Sequence, residues 1–114
     1  MKSYTDLEQS KKLAEFLPIE SADMRFCFSH TLGGKITGHY PMIGREPSLG
    51  TIPCWSLAAL LNILDFPALT QEDENEWEVC VRDYNNDEYI EIKANNPIDA
   101  CVDMILLCKE HNLL

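Results

Sequence analysis

Thr51-Ile52-Pro53-Cys54-Trp55-Ser56-Leu57-Ala58-Ala59-Leu60-Leu61-Asn62-Ile63-Leu64 is the stretch on which the reading of this chain turns. From Trp55 onward it is apolar on nearly every side of a helical wheel, so the helix it predicts belongs at the centre of a core. Cys54 stands where that helix is expected to begin. Two readings follow: the cysteine packs beside Trp55 as a small hydrophobe, or it is a nucleophile mounted at a helix N-terminus. The first is favoured, because no other part of the chain completes a catalytic or binding constellation.

The chain has 114 residues and reads as a single domain, 1–114, large enough for one core. Apolar residues make up 46% and charged residues 25%, the balance of an ordinary folded domain rather than of a disordered or fibrous chain. The opening residues lack the apolar stretch of a secretory signal, and the run Leu57 to Leu64 is too short to cross a bilayer. A cytoplasmic location is expected. The five cysteines, Cys27, Cys54, Cys80, Cys101 and Cys108, are an odd number at irregular spacing, which points to reduced thiols. They form no C-x-x-C pair, and His30, His39 and His111 stand at no ligand spacing from them, so no metal site is expected. Gly33-Gly34-Lys35 lacks the spacing of a phosphate loop, and no cofactor is indicated.

The net charge of −10 is unevenly placed. Glu72, Asp73, Glu74, Glu76, Glu78, Asp83, Asp87, Glu88 and Glu91 crowd one stretch against Arg82. Such a surface repels phosphate backbones, and no Lys/Arg cluster with interleaved aromatics exists, so direct nucleic-acid binding is not expected. A solvated face is the plain reading; the sharper ones are a docking surface for a basic partner or an acidic mimic of nucleic acid. Glu72, Asp73, Glu74 and Glu76 are the candidate interaction residues.

Thr5 and Glu8 have capping-box spacing, and Leu7, Leu13, Ala14 and Leu17 give the first helix one apolar stripe that ends at Pro18 and fits a surface position. Met24 to Ser29 alternates like a half-buried strand, and Gly33-Gly34 turns it back toward Lys35-Ile36-Thr37. On that hairpin His30 and His39 could face each other as a titrating pair or weak metal site. Pro41 to Pro53, rich in Gly and Pro, reads as a loop. Glu76–Asp83 and Glu88–Ala94 form a second hairpin around Tyr84-Asn85-Asn86-Asp87. Its expected register sets Val81 opposite Ile90, Val79 opposite Ile92, Trp77 opposite Ala94, Glu78 opposite Lys93 and Arg82 opposite Tyr89.

Asn96-Pro97 opens the last helix, with Asn96 as cap and Pro97 in the first turn. Asp99, Asp103 and Glu110, with Leu106 among them, form its narrow polar stripe, and apolar residues cover the rest. So broad an arc is either packed from both flanks or meets a second copy of the chain, which makes Leu106 a further candidate interaction residue and a homodimer an expectation. Asp99 and Asp103, one helical turn apart, read as surface residues. Together these elements predict an α+β fold: a small, mainly antiparallel sheet covered by a buried central helix and a C-terminal helix, with an N-terminal surface helix and the acidic face left wet.

Three blocks, Leu17-Pro18-Ile19-Glu20-Ser21-Ala22-Asp23-Met24, Pro53 to Leu61, and Asn95-Asn96-Pro97-Ile98-Asp99-Ala100-Cys101, with the terminal Leu113-Leu114, resemble a family of small uncharacterised proteins encoded in bacterial prophages and mobile elements. The resemblance implies one compact domain and an accessory role, with no catalytic residue or cofactor to carry over. Family members vary most between Phe28 and Gly50 and between Phe66 and Glu76. Pro53-Cys54-Trp55-Ser56 separately resembles the helix-initial Cys-Trp of papain-like proteases, which makes Cys54 the one candidate catalytic residue. That chemistry implies a downstream His and an orienting Asn or Asp. Only His111 follows Cys54, at the end of the last helix, and the chain is about half the usual size for that fold. The favoured expectation is a non-enzymatic cytosolic interaction or accessory protein with an unknown protein partner; a Cys54 hydrolase is the runner-up, and an acidic nucleic-acid mimic or docking protein for a basic partner is the third reading.

Overall fold

The computed structural model describes residues 2–44 and 51–114. It is an α+β fold of three helices and two antiparallel three-stranded sheets. Helix α1 (Leu7–Ala14) is capped by Asp6, whose carboxylate accepts from Gln9 N–H while the Gln9 side chain returns to Asp6 N–H. The box is therefore Asp6/Gln9 and not Thr5/Glu8. Thr5 is diverted because its hydroxyl is buried against Ser10 and Trp55 N–H. The helix also stops short of Pro18, and a 3-10 turn at Ile19–Ser21 follows.

Strands β1 (Met24–His30) and β2 (Ile36–Ile43) form the expected glycine hairpin. Gly34 adopts φ +83° at its turn, a conformation glycine takes at no steric cost. The hairpin runs much further than its sequence suggests. Pro41 lies inside β2, opposite Phe26, and is tolerated because β2 is an edge strand where a missing N–H can face away from its neighbour. The expected Pro41 to Pro53 loop is thus a strand at its start and, at its end, the short β3 (Ile52–Cys54), which pairs with Met24–Phe26 on the other edge of β1; positions 45–50 lie outside the described residues.

Helix α2 (Leu57–Ile63) starts later than expected. Ser56, not the region of Cys54, is its cap, with its hydroxyl accepting from Ala59 N–H at 3.3 Å. Cys54 therefore ends a strand. The second sheet comprises β4 (Ala68–Asp73), β5 (Glu76–Asp83) and β6 (Glu88–Ala94), in that order. All five cross-strand pairs expected between β5 and β6 are present. β4, lying within the polar, acidic run, pairs Leu69 with Val79 and Thr70 with Glu78.

Helix α3 (Pro97–Glu110) begins as expected, Asn96 accepting from Asp99 N–H at 2.9 Å. It ends where Asn112 turns left-handed, φ +57°, and Leu113 N–H reaches Cys108 O at 2.8 Å, a C-terminal closure that satisfies late carbonyls. Its broad apolar arc is covered within the chain: Ile98, Ala100, Cys101, Val102, Met104, Ile105 and Cys108 are all buried, packed by α1, α2, β5 and β6. One core joins these residues to Leu13, Trp55, Leu60, Val79 and Val81, with Leu106 at its margin. The β1–β2 hairpin contributes no residue to that core, and the molecule has extents of 55 × 31 × 19 Å.

Candidate functional site

Cys54 is fully buried. Its sulfur receives the Thr5 hydroxyl at 3.6 Å and lies 3.4 Å from the Thr5 carbonyl. Thr5 in turn bonds Ser10 Oγ at 2.7 Å and accepts from Trp55 N–H at 3.1 Å, so these contacts lock the N-terminal segment onto the end of β3. Burial pushes the Cys54 thiol up, and the neighbouring Asp23 carboxylate adds to the rise. Ser56 directs its N–H at 2.9 Å, and its hydroxyl, to Asp23. Trp55 is fully buried, and its indole N–H ends on Ser21 Oγ at 3.0 Å. The arrangement is a packed junction of three segments.

The histidines lie elsewhere. β1 separates β2, which carries His39, from β3, which carries Cys54. His39 pairs with Phe28, and its ring meets the edge of Phe26 with centroids 5.4 Å apart; His30 pairs with Ile36. The expected His30/His39 pairing across the hairpin is therefore not the register adopted, because Phe28 and not His30 stands opposite His39. His111 caps α3, with Nδ1 3.9 Å from the buried Asp83 carboxylate. Asp83 is held below the usual carboxylate range by the Asn86 side chain and then by Asn85 and Asn86 N–H groups. Among the described residues, no group of three or more His, Cys, Asp and Glu side chains is placed to hold a metal ion.

Asp99 differs from its expected role as a solvated surface carboxylate. It accepts from Lys2 Nζ at 2.9 Å, Gln9 Nε2 at 2.8 Å and Asn96 Nδ2 at 2.8 Å. Its partial burial raises the carboxyl's pKa, and these three donors more than offset that, leaving it lowered. Asp103 is largely exposed, and the partial loss of water around it, with the Asp99 charge, raises its pKa. The pair is split between a fastening of α1 to α3 and a surface group.

The acidic stretch is the distinctive open surface. Alternation along β5 sends Val79, Val81 and Asp83 into the protein and turns Glu78, Cys80 and Arg82 outward. Helix α3 packs on β5 and β6, and the outward face carries Thr70, Glu78, Glu91, Tyr89 and Lys93 by their cross-strand pairing. Glu78 lies within hydrogen-bonding reach of both Glu72 and Glu91, and these two carboxylates raise its pKa. Lys93 is drawn instead to Glu76, at 3.3 Å. A cleft of about 430 Å³ at one end of this face is lined by Asp73, Asn75, Glu76 and Lys93. Arg82 pairs with Asp87 and lies 5.3 Å from the Tyr84 ring centre, while Tyr89 is 70% exposed beside it.

Of the expected interaction residues, Glu72 belongs to the crowded face. Asp73 ends β4 and Glu74 begins the turn to β5, with Asn75 N–H on Asp73 at 2.8 Å; Glu76 is paired, and Leu106 rests on the core. The centre of the face is Glu78 and Glu91, which period-two alternation through the acidic run would have selected. No family model, curated protein or solved structure matches the chain. Among the described residues, no helix is long and apolar enough to cross a membrane.

Proposed function

We propose that this chain is a non-catalytic accessory protein of the cytoplasm, of prophage or mobile-element type, that docks a basic protein partner on the outer face of β4, β5 and β6. The observation that carries this reading is the outward face of β4, β5 and β6, where the strand register brings Glu78 and Glu91 to diagonal positions and the carboxylates of Glu72 and Glu91 raise the pKa of Glu78. Glu78 stands opposite Lys93, which is engaged by Glu76, so the carboxylates of Glu72 and Glu91 remain as like charges at its flanks. A cationic side chain seated among them relieves that repulsion, and net charge of the same sign steers such a partner inward. The exposed Tyr89 supplies an aromatic face beside the carboxylates, suited to cover the stem or the charge of a lysine or arginine.

Titration with an oligolysine peptide tests the reading. Binding is expected at low ionic strength and should weaken as salt screens the face. Replacing Glu78→Gln with Glu91→Gln should weaken it at least ~10-fold, or about 1.4 kcal/mol. The control Glu8→Gln with Glu15→Gln, which removes equal charge from α1 and its C-cap, should leave it within about 2-fold. Equal loss in both variants, or no binding at low salt, would overturn the assignment.

A further inference from the structure

We propose that the β1–β2 hairpin is a self-association surface, through which two copies of this chain pack face to face at Cys27, Tyr40 and Met42. β3 accompanies β1 only from Met24 to Phe26. Beyond that point Cys27–His30 and Ile36–Tyr40 continue as a ribbon of two described strands. Two strands alone are marginal in water and become stable when a third strand or a packed apolar face supports them. This ribbon carries such a face. Alternation places Arg25, Cys27, Tyr40 and Met42 on one side; Cys27 Sγ lies 3.6 Å from Met42 Sδ, and Tyr40 and Met42 remain 45% and 40% exposed.

The chain exposes more surface than a compact monomer of its mass. A compact monomer of 13.0 kDa exposes about 6300 Å² by the usual scaling, whereas this chain exposes 7194 Å². The excess, roughly 850 Å², is close to the ~800 Å² each partner gives to a standard interface. The radius of gyration, 15.5 Å against about 13 Å for a compact chain of this length, shows the same extension.

Electrostatics select the same place. The chain carries a net charge of −10, yet no Asp or Glu occurs between Met24 and Arg45. Two copies meeting here keep their acidic sheets apart. Edge-to-edge pairing is disfavoured because Pro41 interrupts the donors along β2, which leaves the side-chain face as the contact. An antiparallel crossing centred on Cys27 and Tyr40 sets Arg25 of each copy toward the small Ser29 and Gly38 of the other, where a Cβ on Gly38 would meet nothing within 4 Å. The two guanidinium groups then lie at opposite ends of the interface.

Sedimentation of the full chain at about 100 µM should give a dimer, and Tyr40→Glu or Met42→Glu should weaken it at least ~10-fold. Because a glutamate in the hairpin could also unfold it, thiol oxidation of the unsubstituted protein supplies a second readout. Cys27 lies near the two-fold axis, so mild oxidation should give a covalent dimer that Cys27→Ser abolishes and Cys80→Ser retains. A monomer at that concentration overturns the proposal. So does a dimer indifferent to both glutamate variants and not cross-linked through Cys27.

Discussion

At the scale of single residues, Cys54 and Glu78 illustrate two opposite treatments of a titratable group. Cys54 is sealed under Thr5 and Trp55 with its thiol pKa raised by burial. Thiol reagents should consume Cys27 and Cys80, both half-buried, well before Cys54, as peptide mapping after iodoacetamide would show; early modification of Cys54 would mean that this junction opens. Thr5→Val should cost about 1–3 kcal/mol in denaturant unfolding, because Ser10 and Trp55 N–H lose a buried partner. A loss below a few tenths would place those bonds outside the folding balance. Glu78 instead sits on the surface, beside carboxylates that make its ionised form unfavourable.

The sign of that effect can be measured. A carboxyl whose pKa is raised in the folded state favours folding while protonated, and the advantage is lost as pH rises through the raised value. Glu78→Gln should therefore raise the thermal midpoint at neutral pH, with the gain vanishing below the ordinary glutamate pKa of 4.5. Asp99 and Asp6 behave oppositely. For both, burial raises the pKa, but hydrogen bonds, chiefly from Lys2, Gln9 and Asn96 at Asp99 and from Gln9 and Lys2 at Asp6, leave it lowered. Their stabilisation is present above the unfolded value of 3.8 and lost as pH falls below it. Asp99→Asn should thus flatten the acid limb of a stability-against-pH curve; an unchanged limb would contradict the role assigned to this fastening.

At the scale of elements, local pattern was most legible where two independent signals agreed. Hydrophobic and charge pairing both fixed the β5–β6 register, and Asn96-Pro97 marked the start of α3. Asn96→Ala should cost about 1 kcal/mol in helix capping. Met104→Ala, which empties a fully buried site on α3, should cost ~2–5 kcal/mol, a large share of the 5–15 kcal/mol typical of a domain. Other boundaries depended on contacts distant in sequence. Thr5/Glu8 and Asp6/Gln9 have the same capping spacing, and only the arrival of Ser10 and Trp55 at the Thr5 hydroxyl decides between them. Pro41 hides a strand because its tolerance depends on β2 being an edge, a fact of the sheet and not of the local sequence. β4 hides in an acidic run for a similar reason: its side chains are mostly exposed, so burial leaves little periodicity.

At the scale of the whole molecule, the α+β class followed from the order of elements, while the division into two sheets did not. That division arises because β3 joins β1 and β4 joins β5, pairings set by chain path. It separates the surfaces. α3, with α2 packed against it, occupies the inner side of the second sheet and leaves that sheet's carboxylates outward, while the hairpin of the first sheet carries no acidic residue. A broad apolar arc on α3 suggested a second copy, but α1, α2, β5 and β6 cover that arc within the chain. Of the site, the acidic run was visible in composition. Period-two alternation is enough to put Glu78 and Glu91 on its outward side, whereas the arrival of Glu72 beside them depends on β4, which the local pattern does not reveal.

Amide chemical shifts recorded during an oligolysine titration test the docking surface most directly. Perturbations should concentrate at Thr70, Glu72, Glu78, Cys80, Tyr89 and Glu91 and fade as salt is added. Shifts confined to other surfaces, or a spectrum unchanged at low salt, would contradict the assignment of this sheet face as the binding site.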